Sequence, residues 1–441
     1  MISKSVAKSP VAADEPKECL IVERFLSIQK AEIDVRRFTV IIGPQASGKS
    51  LLAKLLYFFR RVYSRHFFDG IAHQQNWTNL TNACLDDFRG TFPNYSWKNS
   101  DFQISYQLGD SHIRVRPIVD KKESDLEIQL SGDLRRKYQE LLKSGKMRDA
   151  QDKDPAEMEY RSWQRLMDLR LSLSKTSSAF VAPTFIPANR AFFATLQQSV
   201  FTFLAQNLPI DPLIKEFGSV YEFAKRSYLY RDRYHPRKNR KLNELTYLLK
   251  EVQKILSGEY KRQGEEDFIV SRGRTVNLVH ASSGQQESLP MLLVLLRRAI
   301  EDDIYAKAQM IFVEEPETHL FPTSQRELVG IFSVLYAKYS SQFFLTTHSP
   351  YVLTAINNLA FASKVYVGRN KTREQKVKDA LNGASSIQTK HLSAYAIEDG
   401  RSFSIIDKNS GIIGSSVIDE VSDHFETVLE NLIQLDYESK K

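Results

Sequence analysis

The chain has 441 residues, 42% of them hydrophobic and 26% charged, with a formal net charge of +8. That composition excludes overall disorder and supplies material for two or three cores, while apolar runs such as Leu289–Leu296 are cut by charges well short of the ~20 residues a membrane span needs. The two cysteines, Cys19 and Cys84, lack metal-ligand spacing and are too few for a disulfide framework, which fits a reducing cytoplasm.

Residues 1–18 are polar and rich in Lys, Ala and Pro, and read as a flexible tail rather than a secretory signal. From Leu20 onward short strand-like stretches lead to Phe38-Thr39-Val40-Ile41-Ile42, a β-branched run suited to a buried strand. Beyond Gly48, residues Leu51, Leu52, Leu55, Leu56 and Phe59 recur at helical spacing, so the chain reads strand, tight loop, helix. Alternation around 102–106 and 112–116 predicts hairpin strands, which completes a first part over 19–130. The interval 131–265 is charged and helix-prone, with segments at 138–143, 157–174 and 242–256, and is expected to be a helical insert. The last part, 266–441, returns to strand and helix: Met310–Val313, a helix over 324–339 with Ser324 and Glu327 at capping-box spacing, then a strand over 342–346.

Four stretches carry chemistry. Gly43-Pro44-Gln45-Ala46-Ser47-Gly48-Lys49-Ser50 matches G-x-x-x-x-G-K-[ST], where small residues let backbone N–H groups face phosphates at a helix N-terminus. Lys49 would reach the β- and γ-phosphates of ATP, and Ser50 would hold Mg²⁺. Met310-Ile311-Phe312-Val313 delivers Glu314 and Glu315 to a strand tip, Glu314 to bind Mg²⁺ and Glu315 to polarise the attacking water. His348, just past the apolar run Phe343-Phe344-Leu345, can hydrogen-bond the γ-phosphate or that water. A fourth stretch, Ser282-Ser283-Gly284-Gln285, opens the helix that runs to Ile300 and makes a second anion site. The phosphate loop already holds the phosphates from its own side, so this turn must reach a nucleotide from elsewhere.

The order phosphate loop, Ser-Ser-Gly-Gln, Glu-Glu-Pro-Glu-Thr-His-Leu, Thr-Thr-His-Ser-Pro resembles ABC-type ATPases of the SMC/RecF class, especially the heads of overcoming-lysogenisation-defect (OLD) nucleases, over about 20–125 and 265–430. The resemblance implies an α/β fold: a two-lobed ABC-type P-loop ATPase head, mixed sheet plus RecA-like core, carrying the helical insert. It also implies ATP and Mg²⁺ as cofactors and a homo-oligomer of ATP-bridged dimers. In such dimers Ser282 and Gly284 bind the γ-phosphate held by Lys49 of the facing subunit, and Pro316–His319 cross the seam. Glu314 departs from the Asp that many ABC proteins carry there, and Gln103 is the candidate Q-loop glutamine.

OLD-type nucleases continue into a Toprim domain. Here Val365-Tyr366-Val367-Gly368 is not followed by the required carboxylate set, and Asp399 and Asp407 stand isolated. The chain therefore resembles nuclease-less ATPase subunits of two-gene anti-phage systems. Ile41–Phe59 and Phe185-Ile186-Pro187-Ala188-Asn189-Arg190 look most like the PARIS ATPase subunit, with the Septu subunit second. That likeness implies a separate Toprim-type nuclease effector as partner and no membrane; a RecF-type DNA-repair ATPase that binds DNA directly is the alternative. The segment 225–241 concentrates Arg231, Arg233, Arg237, Lys238, Arg240 and Lys241 among tyrosines. It reads either as a grip for DNA or an acidic DNA-mimicking phage protein, or as the solvated face of the insert.

Overall fold

The computed structural model describes residues 16–98, 100–118, 125–149, 155–196, 210–230, 242–300, 308–365 and 371–414. Its centre is an eleven-stranded mixed sheet in the order β6-β5-β4-β1-β2-β14-β13-β3-β12-β11-β7. The strands are β1 (Glu18–Phe25), β2 (Ile28–Val35), β3 (Phe38–Ile42), β4 (Gln103–Leu108), β5 (Ser111–Ile118), β6 (Asp125–Leu130), β7 (Thr184–Ile186), β11 (Met310–Glu314), β12 (Gln342–Thr347), β13 (Leu392–Glu398) and β14 (Arg401–Ser404). A separate antiparallel meander holds β8 (Glu259–Gln263), β9 (Glu266–Ser271) and β10 (Arg274–Asn277).

Two blocks make up the large sheet. β13, β3, β12, β11 and β7 run parallel, while β6, β5, β4, β1 and β2 form an antiparallel block. Parallel strands are covered on both faces, which is why their sequences are nearly all apolar. Alternation along them sorts the side chains. Ile41, Phe312 and Phe344 join one core with helix α1 (Lys49–Arg61) and the antiparallel strands, through Leu20, Ile33, Ile104 and Leu52. Val40, Ile311, Val313, Phe343 and Leu345 face the other core, made with helices Ser283–Ile300, Pro322–Lys338 and Pro350–Val365. Helix α1 thus fills the space between the two blocks, and its N-terminus is fixed at the end of the parallel strands. This mixed-sheet α/β architecture agrees with the expected fold class.

Several boundaries differ from the sequence reading. The 131–265 interval is mostly helical, with helices Gly132–Asp149, Pro155–Thr176, Pro212–Leu229 and Leu242–Ile255. It also supplies a strand to the main sheet, since Thr184–Ile186 pairs in parallel with Ile311–Val313 at its edge. Phe217, Tyr221, Leu248 and Val252 of its helices also enter the same core as Ser283–Ile300. A three-residue strand is too short for periodicity to reveal. The helix expected from Ser324 begins at Pro322, with Phe321 as N-cap and no side-chain cap, since proline's fixed φ suits the first helical turn better than the Ser324–Glu327 pair. β1 starts at Glu18, and residues 1–15 of the expected tail lie outside the described residues.

Candidate functional site

The phosphate loop connects β3 to α1 and lies between strand ends. Gly48 caps α1 with φ 102°, a left-handed conformation that a side chain resists. A Cβ there would also stand 2.5 Å from Ile28 Cδ1, and a Cβ on Gly43 would stand 2.6 Å from the Ile397 carbonyl oxygen. These two glycines let the loop lie against β2 and β13. Lys49 is buried, and its ammonium donates to the carbonyls of Gly43 at 2.9 Å and Pro44 at 2.7 Å. Burial pushes its pKa down, while Glu315 and Glu317 push it up. The loop therefore holds a desolvated cation at the helix N-terminus, a strong anion site.

β11 and β12 run parallel beside β3 and bring their tips to the same end. Glu314 is 5% exposed. Its Oε2 accepts from the Ala188 N–H at 3.3 Å, whereas Oε1 is buried without a partner. Burial raises its pKa, against the lowering influence of Lys54, the Ser50 hydroxyl and the Ala188 N–H. A buried, partnerless carboxylate oxygen beside a serine hydroxyl is the donor set a hard divalent cation takes. Ser47 Oγ, Glu317 Oε2 and Thr346 Oγ1 are likewise buried and unpartnered around the same strand ends. Among the described residues no group of three or more His, Cys, Asp or Glu could hold a metal ion, so a cation here would depend on phosphate oxygens for the rest of its shell.

Glu315 follows with φ 42°, its N–H bonded to the Thr346 carbonyl at 2.9 Å, which turns its side chain off the strand. Its Oε1 lies 2.8 Å from His348 Nε2. His348 Nδ1 stands 3.0 Å from the Gly43 carbonyl and 3.3 Å from Lys49 Nζ. The histidine thus connects the acidic strand tip to the phosphate loop. Glu317, which the sequence reading left without a role of its own, sets that position: its Oε1 accepts from Thr347 Oγ1 at 2.8 Å and from the His348 N–H at 2.6 Å. Its signal in the sequence was only its place in the Glu-Glu-Pro-Glu stretch.

The Ser282–Gln285 turn is different. Ser282 and Ser283 are exposed, and the helix begins at Ser283 itself. The turn's hydrogen bonds are local or point backward: Ser282 Oγ to Gln285 Oε1 at 3.1 Å, and Gln285 Nε2 to the Leu256 carbonyl at 2.7 Å. Gln286 anchors it to the carbonyls of Leu278 and Val279. Gly284 admits the loop beyond the carboxylates, since a Cβ there would stand 2.8 Å from the His319 carbonyl oxygen.

Arg190 is the other residue sequence reasoning left unassigned. It is fully buried and reaches the backbone of both Glu314 and Glu315. Gln103 opens β4, with four strands between it and β3 in the sheet order. The basic cluster Arg231, Arg233, Arg237, Lys238, Arg240 and Lys241 lies outside the described residues. At its described edge, Lys225 is buried and paired with Glu222 and, at 3.5 Å, Asp267, so it belongs to the core and not to a basic surface. No described helix is long and apolar enough to cross a membrane.

Among solved structures, the chain is similar to an SMC head bound to the C-winged helix domain of ScpA, at 13% identity over 88% of this chain and 97% of that one, TM-score 0.36. The SMC head domain from Thermotoga maritima gives 13% identity over 88% and 98%, TM-score 0.33. The recombination mediator RecF-ATPrS of the RecFOR pathway gives 11% over 89% and 100%, TM-score 0.31. Scores this low carry no weight for the site. No curated protein matches the sequence. The family model described as "AAA domain, putative AbiEii toxin, Type IV TA system" matches residues 38–354, well over half of the chain and the whole interval from the phosphate loop to His348. On that match, the chain belongs to this family of AAA-domain ATPases.

Proposed function

We propose that two copies of the chain clamp ATP between the phosphate loop of one and the Ser282–Gln285 turn of the other, and hydrolyse it with Mg²⁺. The observation that carries this reading is the unequal completeness of the two anion sites. Lys49, Ser50, Glu314, Glu315 and His348 converge at one end of the parallel strands, while Ser282 and Ser283 stand exposed with only local partners. Large apolar side chains lie bare beside that end: Phe321, 74% exposed, follows the carboxylate loop, and Tyr351, 56% exposed, follows His348. Aromatic side chains are enriched at protein–protein interfaces.

In this reading Lys49 exchanges the Gly43 and Pro44 carbonyls for phosphate oxygens. Ser50 and Glu314 hold Mg²⁺, which neutralises phosphate charge when bound. Glu315, steered by His348, takes the proton of the attacking water. Replacing Glu315 with Gln removes that proton acceptor and leaves the phosphate grip, so Glu315→Gln is expected to run at dimer mass in light scattering with ATP and Mg²⁺. Monomer mass under those conditions refutes the clamp.

The wider role we infer is that of sensor and scaffold in a bacterial anti-phage system, holding a separate Toprim-type nuclease until a phage trigger. Its support is the motif order and the resemblance it carries, beside a family description that names a toxin of a type IV system. Co-expression with the product of the neighbouring gene is expected to yield a complex. Failure to co-purify, together with ATP-dependent, salt-sensitive DNA binding, replaces this role with the RecF-type one.

A further inference from the structure

The Arg190 guanidinium makes four hydrogen bonds and one ion pair. Nε donates to the Glu287 carbonyl at 3.0 Å, Nη1 to the carbonyls of Pro187 and Glu314 at 2.8 Å each, and Nη2 to the Glu315 carbonyl at 3.1 Å and toward Glu287 Oε1 at 3.3 Å. The Glu287 carboxylate in turn accepts the Arg190 N–H at 2.9 Å and the Ala191 N–H at 2.7 Å. Arg190 is 0% exposed and Glu287 2%. A lysine could not replace this arrangement, because one ammonium cannot serve a planar fan of acceptors.

Three parts of the fold meet at this pair. Glu287 sits one helical turn beyond Ser283 and Gly284, on the helix whose first turn forms the exposed anion site. Arg190 belongs to the loop after β7, which also gives its Ala188 N–H to the Glu314 carboxylate. Glu314 and Glu315 are the strand tip, and Glu315 holds a left-handed backbone with its carbonyl on Arg190. A displacement of the turn therefore pulls on Glu287, then Arg190, then the peptide units that aim the two carboxylates, all through short bonds in a dry environment.

We propose that Arg190 and Glu287 are positioning residues that couple the two nucleotide half-sites within one chain, so that Glu315 is aimed for hydrolysis when the Ser282–Gly284 turn has engaged the partner's nucleotide. This rests on the clamp proposed above. In a dimer with two such sites, the coupling makes turnover cooperative in ATP: each engaged turn sets the carboxylates of its own chain.

The test uses the full-length chain and ATP. Wild type is expected to show a Hill coefficient approaching ~2 for turnover. Glu287→Gln is expected to lower kcat by about tenfold and bring the Hill coefficient to about 1, with ATP affinity for the isolated chain unchanged, since Lys49 does not touch this pair. Glu287→Gln with wild-type kcat and cooperativity overturns the proposal. A second measurement needs no change in the core: amide hydrogen exchange across 187–191, which includes the N–H groups of Ala188, Arg190 and Ala191 that bond Glu314 and Glu287. ATP is expected to slow exchange there in the wild-type chain and not in Ser282→Ala, whose exposed hydroxyl bonds only Gln285. Equal protection in both, or none in either while Glu315→Gln still dimerises with ATP, overturns the coupling and leaves the clamp standing. A Glu315→Gln chain that stays monomeric removes the clamp first.

Discussion

The two anion sites of this chain are built from similar residues and differ in how the fold treats them. At the phosphate loop, Lys49 is buried and its ammonium, His348 and Glu315 form a connected chain of contacts. At the Ser282 turn the side chains are exposed and bond chiefly to their own turn. A buried cation with its partners in place is costly to assemble and has a function within the chain. An exposed serine-glycine turn opening a buried helix costs almost nothing, and its polar groups stay available. The difference teaches that the fold preorganises the loop within its own chain and presents the turn to solvent.

The largest expected effect tests the preorganised side. Lys49→Ala removes the charge that faces phosphate, and ATP turnover should fall by about 10²–10³-fold, read by phosphate release; undiminished turnover would abolish the contrast between the sites. Glu315→Gln should cost about 10²-fold in kcat with ATP binding retained, measured by single turnover alongside equilibrium binding. If binding is lost with turnover, Glu315 is part of the grip and not the proton acceptor.

Backbone geometry provides a sharper probe of the loop. Gly48→Ala places a Cβ at φ 102° and 2.5 Å from Ile28 Cδ1, and should destabilise the fold by ~1–3 kcal/mol in chemical denaturation. Ser282→Ala, by contrast, should leave stability within ~0.5 kcal/mol. Its loss should appear in turnover, by roughly tenfold, and in ATP-driven dimerisation. A stability loss at Ser282 comparable with that at Gly48 would erase the distinction.

The smallest effect concerns Glu314, whose burial raises its pKa above the usual carboxylate range. The folded state then holds this proton more tightly than the unfolded chain, so stability falls as pH rises from the unfolded pKa toward the folded one. Glu314→Gln should therefore gain ~1 kcal/mol near pH 7 and show a smaller gain as pH falls toward 4.5, while losing Mg²⁺-dependent turnover. No gain at neutral pH would mean that the carboxylate is better satisfied than its buried Oε1 indicates.

Much of this arrangement was legible from local sequence. The apolar run Phe38–Ile42, the spacing of Leu51 to Phe59 and the tip Glu314–Glu315 each state their geometry within a few residues, because a buried parallel strand and an amphipathic helix leave strong periodic signals. What escaped was non-local. Thr184–Ile186 is too short to announce itself as a strand, yet pairing with β11 brings Ala188 and Arg190 to the carboxylates. Glu287 looks like any polar residue early in a helix, and only tertiary structure shows it buried against Arg190. Glu317 could be placed in a motif but not assigned to His348, since that bond spans 31 residues. The helix start at Pro322 shows the same limit on a smaller scale: proline's fixed φ outweighed a capping pair two residues on.

The central claim is that each nucleotide is completed by a second copy of the chain, and mixing two impaired variants tests it directly. Lys49→Ala and Ser282→Ala chains are each expected to be impaired alone. If loop and turn act across a two-fold interface, a mixed dimer gathers both defects in one site and leaves the loop and turn of the other intact, so ATP-driven dimerisation of the mixture, read by light scattering, should exceed that of either parent. If the turn serves the loop of its own chain, every site keeps one defect, and a mixture that dimerises no more than the average of its parents would contradict the account.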